Sequence, residues 1–158
     1  MPIPARYVHT NLIARDWRRL AAFYQEVFGC VPVPPERDLS GDWLARGSGV
    51  PGARLKGIHL RLPGFGDSGP TLEIFQYSEA VDATPPAANR VGFGHIAFAV
   101  DDVAAARDAV LAAGGNVVGT VESVLIAGAG KLTWCYVRDP EGNIVELQHR
   151  DPESGAPR

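Results

Sequence analysis

Four residues stand out for the chemistry they could do: His9 in "YVHTNL", Glu73 in "TLEIFQY", His95 in "GHIAFAV" and Glu146 in "NIVELQ". Each sits in a short run whose other members are mostly apolar or β-branched. One histidine in such a run is a core residue with both nitrogens hydrogen-bonded, because most buried polar groups are simply satisfied structural ones. Four residues together suggest more. Ionised carboxylates inside strands cost several kcal/mol unless positive charge compensates them. Two carboxylates and two imidazoles converging on one cavity make a donor set that a divalent metal satisfies. Oxygen and nitrogen donors without thiolate suit Zn²⁺, Ni²⁺, Co²⁺, Mn²⁺ or Fe²⁺, and an octahedral ion held by four side chains keeps positions open for water or substrate. Open positions imply chemistry rather than a structural staple. The competing expectation is two separate hydrogen-bonded pairs, His9 with Glu73 and His95 with Glu146, or glutamates solvated at a strand end.

The strands that must position these groups follow from alternation, since side chains on a strand switch faces with a period of two. His95, Ala97 and Ala99 share one face, and Ile96, Phe98 and Val100 take the other. His9 goes with Tyr7, Asn11 and Ile13, against Val8, Thr10 and Leu12. Glu73 lies opposite Leu72 and Ile74, and Glu146 opposite Val145 and Leu147. If the bulky apolar faces pack on helices, the four polar groups face away from them and line the inner surface of the sheet.

The chain repeats internally. "YVHTNLIARDWRRLAAFYQEVFGC" slides onto "GFGHIAFAVDDVAAARDAVLAAGGN" with His9 over His95, Asp16 over Asp102 and Gly29 over Gly115, all in one register. Each half reads as a strand, a capping aspartate, an amphipathic helix and a glycine where the helix ends. Trp17, Leu20, Tyr24, Val27 and Phe28 recur at helical spacing in the first half, as do Val103, Ala106, Val110 and Ala113 in the second. Asp16, Asp101 and Asp102 are read as caps. "GPTLEIFQY" lies over "GNIVELQHR", pairing Gly69 with Gly142 and Glu73 with Glu146. The two registers differ by a surplus in the first half, which fits "PPERDLSGDWLARGSGVPGAR", a long loop by its Pro, Gly and charge content. "CVPV" and "LKGIHLRLP" are strands on either side of it. In the second half "NVVGTVES" and "KLTWCYVRDPEG" correspond, the latter ending in a turn into "NIVEL".

The expected fold class is therefore α+β: two tandem βαβββ modules forming a curved mixed sheet around a metal cavity, with the helices outside. The modules span residues 1–80 and 93–150, with a linker at 81–92 and a polar tail at 151–158 that is expected to fray. A length of 158 residues with 46% hydrophobic content suits one domain or two small fused modules. The net charge of −3, with Lys and Arg scattered, argues against nucleic acid as a partner. No stretch reads as a signal peptide or a membrane span, so a cytoplasmic protein is expected. Cys30 and Cys135 lack CxxC spacing and are read as reduced structural thiols.

Paired βαβββ modules with a histidine on each first strand and a glutamate on each last strand resemble the vicinal oxygen chelate superfamily. That superfamily includes glyoxalase I, methylmalonyl-CoA epimerase, extradiol dioxygenases, and fosfomycin- and bleomycin-resistance proteins. The resemblance runs over residues 6–149 and is carried by "YVHTNL", "TLEIFQY", "GHIAFAVDD" and "RDPEGNIVELQ", which look like the ligand-bearing segments of bacterial glyoxalase I. It implies metal ligands at His9, Glu73, His95 and Glu146. It also implies Glu146 as the proton-transfer base, with Glu73 as its partner or alternate, acting through an enediolate intermediate. One divalent metal, a small-molecule substrate and a homodimer are implied as well. The implied activity is that of a lyase or of an isomerase or epimerase that moves a proton next to a carbonyl. The alternatives on the same scaffold are a metal-free ligand-sequestering protein of the bleomycin-resistance type and a metal-dependent dioxygenase.

Departures bear on the substrate. The glutathione-binding arginine and asparagine that the glyoxalase I resemblance would place at positions 13 and 77 are Ile13 and Tyr77 here. Methylmalonyl-CoA epimerases usually carry glutamine where this chain has Glu73. Five residues are expected near the substrate. His59 and Arg61 alternate onto the cavity face, where an arginine could pair with a carboxylate or phosphate. Trp134 and Tyr136 share a face with Arg138, and Trp43 in the long loop could close over the site.

Overall fold

The computed structural model describes residues 3–82 and 84–151. These fall into two compact units divided between residues 83 and 84. The first unit runs β1 (His9–Ile13), α1 (Trp17–Phe28), β2 (Val31–Ser40), α2 (Asp42–Ser48), β3 (Arg54–Arg61) and β4 (Thr71–Tyr77). Its sheet has the order β1-β4-β3-β2, with β1 parallel to β4 and the other pairs antiparallel. The second unit runs β5 (Ile96–Ala99), α3 (Val103–Ala112), β6 (Asn116–Val117), β7 (Glu122–Ile126), β8 (Gly130–Arg138) and β9 (Ile144–Asp151). There the order is β5-β9-β8-β6, β7 also pairs with β8, and β5 is parallel to β9. In both units the first and last strands are thus neighbours, which brings each histidine segment beside its glutamate strand. The tail expected at 151–158 lies, past Asp151, outside the described residues.

The helices form where their caps and apolar stripes dictate. Asp16 caps α1 by accepting the Arg19 N–H at 3.0 Å, and Asp102 caps α3 by accepting the Ala105 N–H at the same distance. Asp101 is not a cap. Trp17, Leu20, Ala21 and Tyr24 of α1 are buried, and Leu20, Tyr24, Leu60 and Ile74 are fully so. Val110, Val137, Val145 and Leu147 are the counterpart in the second unit. Burying each such side chain contributes about 1.5–3 kcal/mol, and it fixes the apolar faces of β4 and β9 against the helices. Glu73 and Glu146 are left on the opposite faces.

Three features differ from the sequence-based expectation. The stretch expected as a long loop is instead the second part of β2 followed by α2. Pro34 and Pro35 supply no N–H and fall in a register shift between Val33 and Arg37, after which pairing resumes at Arg37 with Gly57. The short α2 is held by Leu44, which packs with Ala53 and Leu55 against Leu39, Phe75 and Tyr77. In the second unit the strand expected from "NVVGTVES" is two short strands, β6 and β7, both paired with β8. The helix-ending glycines also divide their labour. Gly29 is left-handed at φ 67°, but in the second unit that conformation falls on Gly114 at φ 91°. Gly115, which superposes on Gly29 in sequence, is small because a Cβ there would strike the Arg138 carbonyl and Val110.

Cys30 and Cys135 are both buried free thiols. Burial pushes the Cys30 thiol up to about 11, above its ordinary 9.0. A group whose pKa is raised by folding contributes stability below its unfolded value and loses that contribution as pH rises through the folded one. The native protein should therefore lose about 2 kcal/mol from this group between pH 9 and 11. Urea unfolding across that window checks this: the stability gap between native protein and Cys30→Ala should narrow as pH rises, and an unchanged gap would contradict it.

Candidate metal centre

The four residues singled out by type and spacing pair off within the units. His9 Nε2 lies 3.2 Å from Glu73 Oε2. His95 Nε2 lies 2.9 Å from Glu146 Oε2. Both pairs are built by the same local geometry. On β4, Glu73 is registered with Asn11 of β1, and His9 stands two residues before that partner on the same face. On β9, Glu146 is registered with Ala97 of β5, and His95 stands two residues before it, just ahead of the strand. A stagger of two along parallel neighbours puts an imidazole within reach of the carboxylate, because residues two apart share a face. The turn into β9 is fixed by the buried Asp139, whose carboxylate accepts the Glu141 and Asn143 N–H groups and the Asn143 amide at 2.8–3.0 Å.

The surroundings of the two carboxylates differ. Glu73 is 9% exposed. Besides His9, it is met by His59, with Nε2 at 2.9 Å from Oε1, and by the Asn11 amide, which donates to Oε2 at 3.2 Å. Burial holds the His59 imidazole below the ordinary histidine range, and the Glu73 carboxylate pulls the other way. Its Nδ1 lies 3.3 Å from the Thr71 hydroxyl. Glu146 has the Tyr136 ring as its cross-strand neighbour. That phenol is held above its usual range by burial and by the Glu146 charge, so it stays protonated at neutral pH. The Tyr136 ring packs 4.8 Å from the His95 ring and 5.0 Å from Trp134.

The remaining residues expected near a substrate are placed as follows. Arg61 lies 3.3 Å from Asp67 in the loop that follows β3. Trp43 is on α2 with more than half its surface exposed, while the neighbouring Leu44 anchors that helix. Ile13 is about half exposed on β1, and Tyr77 packs in the α2 cluster. Arg138 donates to the Gly142 and Pro86 carbonyls and serves the backbone. Two neighbours of the centre went unassigned in sequence reasoning. Asn11 was detectable as an amide two residues after His9 on the same face. Phe75 closes over Gly57 and against the His59 ring, and only the β3–β4 register reveals it.

The donor set fits a divalent ion. Two ligands on one ion, each about 2.1 Å away and about 90° apart, stand about 3 Å from each other, which is the spacing found in both pairs. The same spacing serves as a hydrogen bond without an ion. Among the described residues no group of three or more His, Cys, Asp and Glu side chains is by itself arranged to hold a metal.

Two units, each a mixed sheet with a helix packed on it and a matched His–Glu pair, define a class of protein, and comparison with known sequences agrees. The model of the Glyoxalase/Bleomycin resistance protein/Dioxygenase superfamily matches residues 6–147, and the chain belongs to that superfamily. It is 32% identical over 150 residues to a lactoylglutathione lyase of Haemophilus influenzae, covering 94% of this chain and 96% of that one. It is 30% identical over 153 residues to a probable lactoylglutathione lyase of Vibrio parahaemolyticus, covering 95% of both. The fold is shared with a glyoxalase family protein of Bacillus cereus, at a TM-score of 0.79 and 18% identity over 94% of this chain and 96% of that one. Among the described residues no helix is long and apolar enough to cross a membrane.

Proposed function

We propose that this protein is a divalent-metal-dependent enzyme of the glyoxalase type, a lyase or an isomerase or epimerase that moves a proton on a carbon next to a carbonyl of a small molecule. The observation that carries this reading is the recurrence of one His–Glu pair, with the same two-residue stagger, in both units. His9, Glu73, His95 and Glu146 are its metal ligands, and the assembly is a homodimer. The names of the relatives point to thioester-forming chemistry on glutathione adducts, with Ile13 and Tyr77 altering how the thiol portion is held.

The metal, when bound, supplies a Lewis acid that makes the hydrogen on the carbon beside a carbonyl easier to remove. Glu146 is the base: it takes that proton and returns it to the product, with Glu73 as its partner or alternate. The His95 ring fixes one Glu146 oxygen. The Tyr136 and Trp134 rings give the substrate an apolar wall and limit water around the transferred proton. The observation favouring a second reading, a metal-free ligand-sequestering protein, is that each histidine stands within 3.2 Å of its own glutamate inside its unit, with no ion needed to bring them together.

Turnover in deuterated water tests the proposal. Metal-loaded protein is given 2-oxoaldehyde adducts of glutathione and of simpler thiols, and the expected result is a thioester bearing carbon-bound deuterium in amounts that vary with the adduct, abolished by chelator. Tight binding of an adduct with no turnover would move the sequestering reading into first place, and oxygen uptake with catechols would replace it by a dioxygenase. Light scattering should give a mass of twice 16.9 kDa, and a monomer would remove the dimer from the proposal.

A further inference from the structure

The two half-sets share a geometry but not a chemistry. In the first unit both residues registered directly opposite Glu73 bring a nitrogen to its carboxylate: Asn11 on β1 and His59 on β3. In the second unit the same two positions opposite Glu146 hold Ala97 on β5 and Tyr136 on β8. Ala97 has no donor. Tyr136 makes no hydrogen bond to Glu146, and among the described residues His95 is the one polar side chain in contact with the Glu146 carboxylate. Nitrogens thus meet Glu73 on both oxygens: the Asn11 amide donates to Oε2, which His9 Nε2 also approaches at 3.2 Å, and His59 Nε2 stands 2.9 Å from Oε1. His59 Nδ1 lies 3.3 Å from the Thr71 hydroxyl, and the tautomer in which Nδ1 accepts that hydroxyl carries its proton on Nε2, the nitrogen 2.9 Å from Glu73 Oε1.

We infer that His59, with Asn11, is a positioning residue that clamps Glu73 as the fixed carboxylate of the pair, leaving Glu146 as the one free to turn and carry the proton. The inference rests on the proposed metal reading and deepens it. A carboxylate met by nitrogens from both neighbouring strands keeps its orientation without an ion, so binding a metal requires no reordering of that ligand. A carboxylate with a single partner can rotate about its terminal torsion, as a base must between accepting and returning a proton. His59 therefore acts on the reaction through Glu73 and belongs to the protein's own scaffold. It is proposed here in place of direct substrate contact.

Cobalt titration of the purified full chain tests this. Co²⁺ is the probe, and its visible absorption reports both affinity and the identity of its ligands. Relative to native protein, His59→Ala should weaken Co²⁺ binding by about 10- to 100-fold. His59→Gln, whose amide can place an N–H donor near the position of Nε2, should bring affinity back to within about threefold. Saturated spectra should be the same in all three proteins, because the ligands themselves are unchanged. Asn11→Ala, at an exposed strand position, should weaken binding about three- to tenfold and carries the same test if His59→Ala fails to give the native circular dichroism spectrum. Unchanged affinity in both alanine variants would overturn the inference while leaving the metal reading standing. A saturated spectrum altered in His59→Ala would also overturn it, by making His59 a ligand. Native protein that takes up no cobalt would remove the metal reading and this inference together, and the native arm separates that failure from the other two.

Discussion

Replacing Glu146 with glutamine should lower kcat by about a thousandfold while Co²⁺ affinity stays within about tenfold of native, because the amide keeps an oxygen for the ion but cannot accept a proton. The comparison is made on whichever thiol adduct the native protein turns over fastest. Glu73→Gln should show the opposite balance, with a larger loss of affinity than of kcat, because nitrogens of three side chains meet its two oxygens and fix its orientation. The contrast follows from register. The strand positions flanking Glu73 supply an amide and an imidazole, and those flanking Glu146 supply a methyl group and a phenol ring. Equal losses of kcat in the two variants would mean that the carboxylates share the proton transfer.

The second large effect is on stability and reaches the centre through one glycine. Gly57 lies on β3 two residues before His59, and the Phe75 ring closes over it. A Cβ at that position would collide with the Ile74 carbonyl and with Phe75. Backbone cannot yield as a flexible side chain does, so β3 and β4 must separate where His59 meets Glu73. Gly57→Ala should cost about 3 kcal/mol, lowering the melting temperature by about 10 °C, and should weaken metal binding in parallel. Calorimetry checks the first and cobalt titration the second. A variant as stable as native would show that the β3–β4 contact at Gly57 has slack.

Much of the site was legible in the sequence because strand alternation is a strong constraint. A glutamate between Leu72 and Ile74, or between Val145 and Leu147, has one face to go to once α1 and α3 cover the other. The internal repeat superposes His9 on His95 and Glu73 on Glu146, which puts one histidine and one glutamate in each half. The register of the neighbouring strands was not legible. Nothing in "LKGIHLRLP" says that His59 rather than Arg61 stands opposite Glu73, because that depends on the register in which β3 pairs with β4. α2 was missed for a related reason. Its seven residues are rich in Gly and charge, and a single buried leucine packed on Ala53 and Leu55 holds it in place. Local pattern fixes which face a side chain takes, whereas long-range pairing fixes whom it meets.

The central claim is that the two His–Glu pairs hold one divalent ion. Metal content by plasma mass spectrometry, on native protein purified without tag or chelator and on His95→Ala and Glu146→Ala, tests it most directly. The account predicts about one equivalent of a transition metal per chain in the native protein and its loss from both variants. Native protein that holds no metal, even after reloading with zinc, nickel, cobalt, manganese and iron, would contradict it and return all four residues to the role of hydrogen-bonded structural pairs.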